Sequence, residues 1–157
     1  RGSLVLGKIA GGTTLAFVQG LIFICLSPLV GISLRPLPFI YLLVILFLIS
    51  FGLTGLGFLI AWRLDSTQGF HAIMNLVLIP MWLLSGALFP IAGAPDWLRA
   101  IMRVNPLSYG VSALGGSFLV HGQRLQTGLA SPAVCLGAIF AFAVLTFSLS
   151  VLSARKS

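Results

Sequence analysis

The sequence predicts an all-α polytopic membrane protein: four transmembrane helices, with a re-entrant or interfacial helical hairpin before the last. Three observations predict it. Of 157 residues, 59% are hydrophobic and 7% charged, and mean hydropathy is +1.14; a soluble domain carries about a quarter charged residues to hydrate its surface. Four apolar stretches have the length of roughly 20 residues that a bilayer-spanning helix needs. Between the third and fourth lies a long segment, 90–132, punctuated by Pro90, Pro95 and Pro106. It is too apolar for a free loop and too long for an ordinary connector.

The first span covers 9–32, with Lys8 marking its start. Residues 34–38, with Arg35, Pro36 and Pro38, read as a tight connector, because proline lacks a backbone donor and restricts its neighbour. The second span covers 39–62 and ends at Arg63 and Asp65. The stretch RLDSTQG then forms a short polar loop, and the third span covers 70–89. The fourth covers 133–154, closed by Arg155 and Lys156. Within the long segment, Trp97, Leu98, Ile101 and Met102 supply one short apolar face, while Arg99 and Arg103 share a neighbouring one, the pattern of an interfacial helix. Residues 107–120 are apolar again but too short to cross. A re-entrant or surface-lying helix is the natural reading. Backbone of this kind is tolerated at membrane depth only where protein or a water-filled cavity surrounds it.

Four spans place both ends on one side. With the ends in the cytoplasm, Arg1, Lys8, Arg63, Arg155 and Lys156 lie inside and Arg35, Arg99, Arg103 and Arg124 outside. The short loops and ends favour this orientation. The net charge of +7 thus reads as headgroup-level Lys and Arg; no basic face interleaved with polar and aromatic residues points to nucleic acid. The chain starts at Arg1 and its nearest methionine is Met74, so a fragment or processed product is expected. The first apolar run is too long for a signal peptide.

Residues 2–9, GSLVLGKI, imitate a phosphate loop, but Ile9 stands where a hydroxyl must meet magnesium, and a spanning helix follows. Lys8 is better read as an interfacial anchor. Catalysis has little to draw on. The two acids, Asp65 and Asp96, sit at membrane edges, and His71 and His121 fall on opposite sides; no nucleophile constellation or metal-ligand spacing forms. Cys25 and Cys135 lie alone in apolar runs and read as small buried hydrophobes.

Intramembrane polar groups carry either interhelical bonds or a pathway. Gln19 sits mid-span, and His71 and Asn75 share one face near the inner end of the third span. With Trp82, also within a span, they are the candidate pathway lining. Gly7 and Gly11, the trio Gly52, Gly55 and Gly57, and the small residues Gly110, Ser112, Ala113, Gly115, Gly116 and Ser117 suit close helix packing, within the chain or at a dimer seam. Trp62, Trp97, Tyr41 and Tyr109 fall at predicted interfaces, where aromatic belts form.

With these residues in view, the chain resembles the C-terminal part of an ABC-2 type permease, the membrane subunit of ATP-binding-cassette exporters. Leu6-Gly7-Lys8 resembles the start of that family's third membrane helix. Ser85-Gly86-Ala87-Leu88-Phe89-Pro90 resembles the end of its fifth. Ala94-Pro95-Asp96-Trp97-Leu98 and Asn105-Pro106-Leu107-Ser108-Tyr109 resemble the outer hairpin before its last helix. The likeness covers nearly the whole chain and is closest to the drug-resistance and glycolipid export branch. One departure is Gly115, where the family often has Arg or Gln six residues after the tyrosine.

The resemblance implies a single ABC-2 type transmembrane domain over 1–157 that lacks the family's first two helices, in a bacterial plasma membrane. It implies export of a hydrophobic or amphiphilic compound, a drug, lipid or glycolipid, by a chain that is not itself an enzyme. It implies no cofactor on this chain, with ATP and magnesium held by a partner ATP-binding-cassette ATPase, and a second permease subunit, identical or not. The loop 63–69, with Arg63 and Asp65, would face the ATPase. The outer hairpin, 94–119, would cap the exit of the pathway, and Pro90, Pro95, Trp97, Asn105, Pro106 and Tyr109 would form its gate. The rival readings are a secondary-transporter fragment, which predicts inverted repeats and intramembrane acids, and a non-transport membrane assembly subunit, which predicts tolerance to change across 90–106.

Overall fold

The computed structural model describes residues 2–33, 36–89, 91–117, 119–120, 123–124 and 129–156. Its order is α1 (Gly2–Leu26), a 3₁₀ turn (Ser27–Val30), β1 (Ile32–Ser33), α2 (Pro36–Ala61), α3 (Thr67–Leu83), a second 3₁₀ turn (Ile91–Gly93), α4 (Asp96–Val104), α5 (Pro106–Ser117), β2 (Leu119–Val120), β3 (Gln123–Arg124) and α6 (Pro132–Lys156).

Helix α2 is the axis of the bundle and packs on α1, α5 and α6. Two clusters divide its length. Toward its start, Ile45 of α2, Ala113 of α5 and Cys135 and Ile139 of α6 are buried together, with Tyr41, Leu48, Ile49 and Tyr109 around them. Toward its end, Val5 and Ile9 of α1 meet Ala154 of α6, flanked by Phe51, Phe58 and Phe147. The first turns of α1, the last turns of α2 and the last turns of α6 therefore share one end of the bundle. The other end is closed by a small antiparallel ribbon. Ile32 pairs with Val120 and Ser33 with Leu119; Leu119 pairs with Arg124 and Val120 with Gln123.

Little hydrophobic drive brings helices together in lipid, so close approach and interhelical bonds matter more. A Cβ on Gly110 would stand 2.5 Å from Ile49 Cδ1, and one on Gly52 would stand 2.7 Å from Phe142 Cδ1. A side chain at either place would have to displace the end of Ile49 or the ring of Phe142. The Ser150 hydroxyl of α6 reaches Gly55 O of α2 at 3.1 Å as well as Thr146 O of its own helix at 2.7 Å. Tyr41 donates to Pro132 O at 2.9 Å, tying the starts of α2 and α6.

Among the described residues, three helices are long and apolar enough to cross a membrane: Ser3–Leu29, Phe39–Ala61 and Pro132–Ala154. The second and third agree with the sequence reading almost to the residue. The first begins earlier than the expected 9–32, because Leu4, Val5 and Leu6 extend the helix and Val5 and Ile9 are buried at 1% and 0% exposure. Lys8 is thus inside α1 and does not mark its start. The expected connector 34–38 is also shortened, since α2 starts at Pro36. Proline costs nothing in a first turn, where its missing N–H has no partner to lose.

The third stretch departs most. The run expected to span 70–89 is a helix of 17 residues, Thr67–Leu83, about 25 Å at 1.5 Å per residue against a hydrocarbon core of about 30 Å. Turn chemistry outweighs apolarity here. Ser85 Oγ binds Trp82 O at 2.6 Å, and Gly86 takes φ 89°, a conformation open to glycine. At the other end, the polar loop is shorter than RLDSTQG. Ser66 caps α3 by accepting from Gly69 N at 3.0 Å, so Thr67, Gln68 and Gly69 belong to the helix.

Helix α5 runs back along α2 toward the ribbon. Pro106 and Leu107 sit beside Ile49 and Leu53 of α2 and Ile139 and Phe142 of α6, near the middle of both helices. Gly110 faces Ile49, and Ala113 faces Ile45.

Candidate functional site

The candidate site is the hairpin and its junction with α3. Helix α4 starts at Pro95, whose carbonyl accepts from Leu98 N and Arg99 N, both at 3.0 Å. Asp96 in its first turn and Arg103 in its last oppose the charges of the helix dipole. Arg99 Nη2 donates to Ala94 O at 2.9 Å, and Arg99 Nη1 lies 3.5 Å from Asp96 Oδ1. The single apolar face expected of this helix is two faces. Met102 is fully buried with Ile91 and Ala94, with Leu98 against them, whereas Trp97 and Ile101 point outward, 66% and 45% exposed. Residues one apart on a helix turn by about 100°, so 98/102 and 97/101 separate.

Asn105 is the centre of the junction and is buried, at 8% exposure. Its backbone N–H donates to Ile101 O at 3.2 Å, ending α4. Its Oδ1 accepts from Leu107 N at 3.0 Å, starting α5. Its Nδ2 donates to Met81 O in the last turn of α3 at 2.7 Å. One residue thus serves three helix ends, two of them through its side chain. Its extended backbone, φ −78° and ψ 114°, is what a following proline imposes. Ser108, fully buried, adds a bond to Leu84 O at 3.1 Å, and Tyr109 donates to Arg103 O at 2.7 Å across the α4–α5 bend. Helix C-termini leave carbonyls without intrahelical donors; at Met81 and Leu84 the hairpin supplies them.

The structure thus brings together Asn105, Pro106 and Tyr109, and places Pro95 and Trp97 on the outer arm. Pro90 lies outside the described residues, as does His121. The expected pathway residues form no cluster inside the chain. Gln19 on α1 and His71 and Asn75 on α3 are exposed, His71 sits edge-on to Phe70 at 5.4 Å, and Trp82 is 52% exposed. Arg63 and Asp65 are exposed in the loop between α2 and α3. Cys25, expected to be buried, is exposed, whereas Cys135 is buried. Tyr41 and Tyr109, expected as belt aromatics, spend their hydroxyls on backbone carbonyls of this chain. The patch on α5 is packing surface, with Gly110, Ser112, Ala113 and Ser117 buried; Gly7, Gly11 and Gly116 face open space. Among the described residues, no three His, Cys, Asp or Glu side chains come together.

Sequence reasoning missed Ser85 and Ser108 as structural donors. The Asn105-Pro106 step is a readable helix start, but its bond to Met81, 24 residues away, has no local signature.

A bundle of long apolar helices carrying a bent helical pair beside its middle is the architecture of a multi-pass membrane protein. The family model for "ABC-2 type transporter" matches residues 1–119, and the chain belongs to that family. It is 26% identical over 150 residues to Nodulation protein J of Sinorhizobium fredii (strain NBRC 101917 / NGR234), covering 96% of this chain and 55% of that protein. It is 28% identical over 159 residues to Nodulation protein J of Rhizobium meliloti (strain 1021), covering 99% and 56%. The chain thus spans about half the length of these relatives. No solved structure matches it.

Proposed function

We propose that this chain is the membrane-crossing part of an ABC exporter, moving an amphiphilic compound such as a lipid or glycolipid out of the cytoplasm on ATP hydrolysed by a partner subunit. Membership of the ABC-2 type transporter family supports the transport class. The observation that carries the hairpin's role is the seat of Pro106 and Leu107 beside Ile49, Leu53, Ile139 and Phe142, halfway along two spanning helices. A helical pair seated at that depth is re-entrant, and it closes the outer mouth of the path. On this reading α3 and the hairpin together do the work of the fourth span.

Orientation follows from the end shared by α1, α2 and α6. Lys8 and Arg63 lie there, with Arg1, Arg155 and Lys156 close by in sequence, so the positive-inside rule makes this end cytoplasmic. The loop carrying Arg63 and Asp65 then meets the ATPase, and the ribbon and α4 face outward. The cargo class rests on the apolar walls, since a hydrophilic route needs more intramembrane charge. A drug-resistance assignment has no support in the relatives above, which carry nodulation names. Gln19, His71, Asn75 and Trp82 are exposed on this chain, which suits a path formed against a second permease subunit.

The test is labelling and transport on the full-length protein. Asp96→Cys reacts with an impermeant maleimide in intact cells, and Pro106→Ala and Tyr109→Ala lower export by complexes that still assemble with the ATPase. Reaction of Asp96→Cys only after lysis overturns the orientation. Unchanged export by both hairpin variants overturns the lid.

A further inference from the structure

Helix α3 is held very differently along its length. None of its residues is buried. Pro80 sits inside it and removes the hydrogen bond that would satisfy the Leu76 carbonyl, which loosens the final turn. Beyond Leu83 the described chain turns at Gly86, φ 89°, and makes a single 3₁₀ turn, Ile91–Gly93, before α4. The end of α3 is also joined to the hairpin by a pair of side-chain bonds from the junction: Asn105 Nδ2 to Met81 O at 2.7 Å and Ser108 Oγ to Leu84 O at 3.1 Å. Both donors are buried, at 8% and 0% exposure, so water competes poorly for the carbonyls they hold.

We infer that Asn105, supported by Ser108, is a positioning residue that fastens the end of α3 to the hairpin, so that the two move as one body. A tilt of α3 begun at its capped start, beside the Arg63–Asp65 loop, is delivered to α4 and α5 through these two bonds. The geometry of the fastening stands without the export reading; its use as a lid drive rests on that reading.

Asn105→Ser separates the roles of this side chain. Serine still caps α5 at the Leu107 N–H, but it is too short to reach Met81 O. In the full-length protein in nanodiscs, with native cysteines replaced, spin labels at Leu76→Cys and Trp97→Cys report α3 against the hairpin. Labels at Trp97→Cys and Gly116→Cys report the hairpin alone. Asn105→Ser is expected to raise a second, displaced population in the first pair about tenfold, the scale of one lost buried hydrogen bond, with the second pair unchanged. Ser108→Ala shifts the first pair in the same direction by less. A first pair unchanged in Asn105→Ser, with the hairpin pair intact, overturns the inference. Should Asn105→Ser fail to fold, Ser108→Ala decides by the same criterion. If Asn105→Ser frees α3 and export by the assembled complex continues at full rate, the fastening stands and the lid reading falls.

Discussion

Two helices meet at Asn105, and they are opposites. Helix α5 has 12 residues, of which Ser108, Gly110, Ser112, Ala113 and Ser117 are buried. Helix α3 has 17, with none buried, although its sequence is richer in large apolar side chains. In a water-soluble protein the oilier helix goes inside. With lipid as the solvent, a large apolar residue gains little by leaving it, and burial follows the size that permits close approach. So α5, small and polar-flecked, is locked into the cluster with α2 and α6, while α3 lies on the surface and is fastened at its end. Of the two, the exposed helix is the one that reads more like a membrane span.

That contrast can be broken by substitution, read as unfolding of the detergent-solubilised protein. Ile45→Ala opens a void where α2, α5 and α6 meet, since Ile45 is 0% exposed, and costs about 2–5 kcal/mol. Gly110→Val forces a side chain against Ile49 and costs about 1–3 kcal/mol by overpacking; a stable Gly110→Val variant would mean that the end of Ile49 swings aside. Ser150→Ala removes the bond to Gly55 O and costs about 0.6 kcal/mol, the average for interhelical bonds in membrane proteins. Leu76→Ala on α3, where Leu76 is 74% exposed, changes stability by less than about 0.5 kcal/mol. A large loss there would sharpen the picture differently, by showing that a second subunit covers α3.

Much of the architecture was legible in the residues. The helices Phe39–Ala61 and Pro132–Ala154 follow from apolar length, and Asn105-Pro106 announces the start of α5 because asparagine caps and proline tolerates a first turn. The length of α3 was not legible. Apolarity continues through Phe89, and only the local competition of Ser85 for Trp82 O, with Gly86 in the left-handed region, ends the helix at Leu83. The ribbon of β1, β2 and β3 escaped for a different reason. Its strands have two residues each, too short for any periodicity, and β1 finds its partner across most of the chain. Of the hairpin residues, the sequence pointed to Asn105, Pro106 and Tyr109 as a group but could not say that Asn105 reaches Met81, because that contact depends on where α3 stops. The four pathway candidates share no local geometry that would have grouped or separated them.

The residues alone determined the solvent and the bends: a chain with 7% charged residues cannot hydrate a globular surface, and prolines and glycines set where its helices turn. The tertiary structure decided which of those helices is buried and which is exposed. It placed α5 within van der Waals contact of Ile49 and left α3 on the outside, tied through Asn105. The physical reason is that hydropathy is a property of each segment, whereas fit is a property of pairs, and in lipid fit governs which surfaces meet.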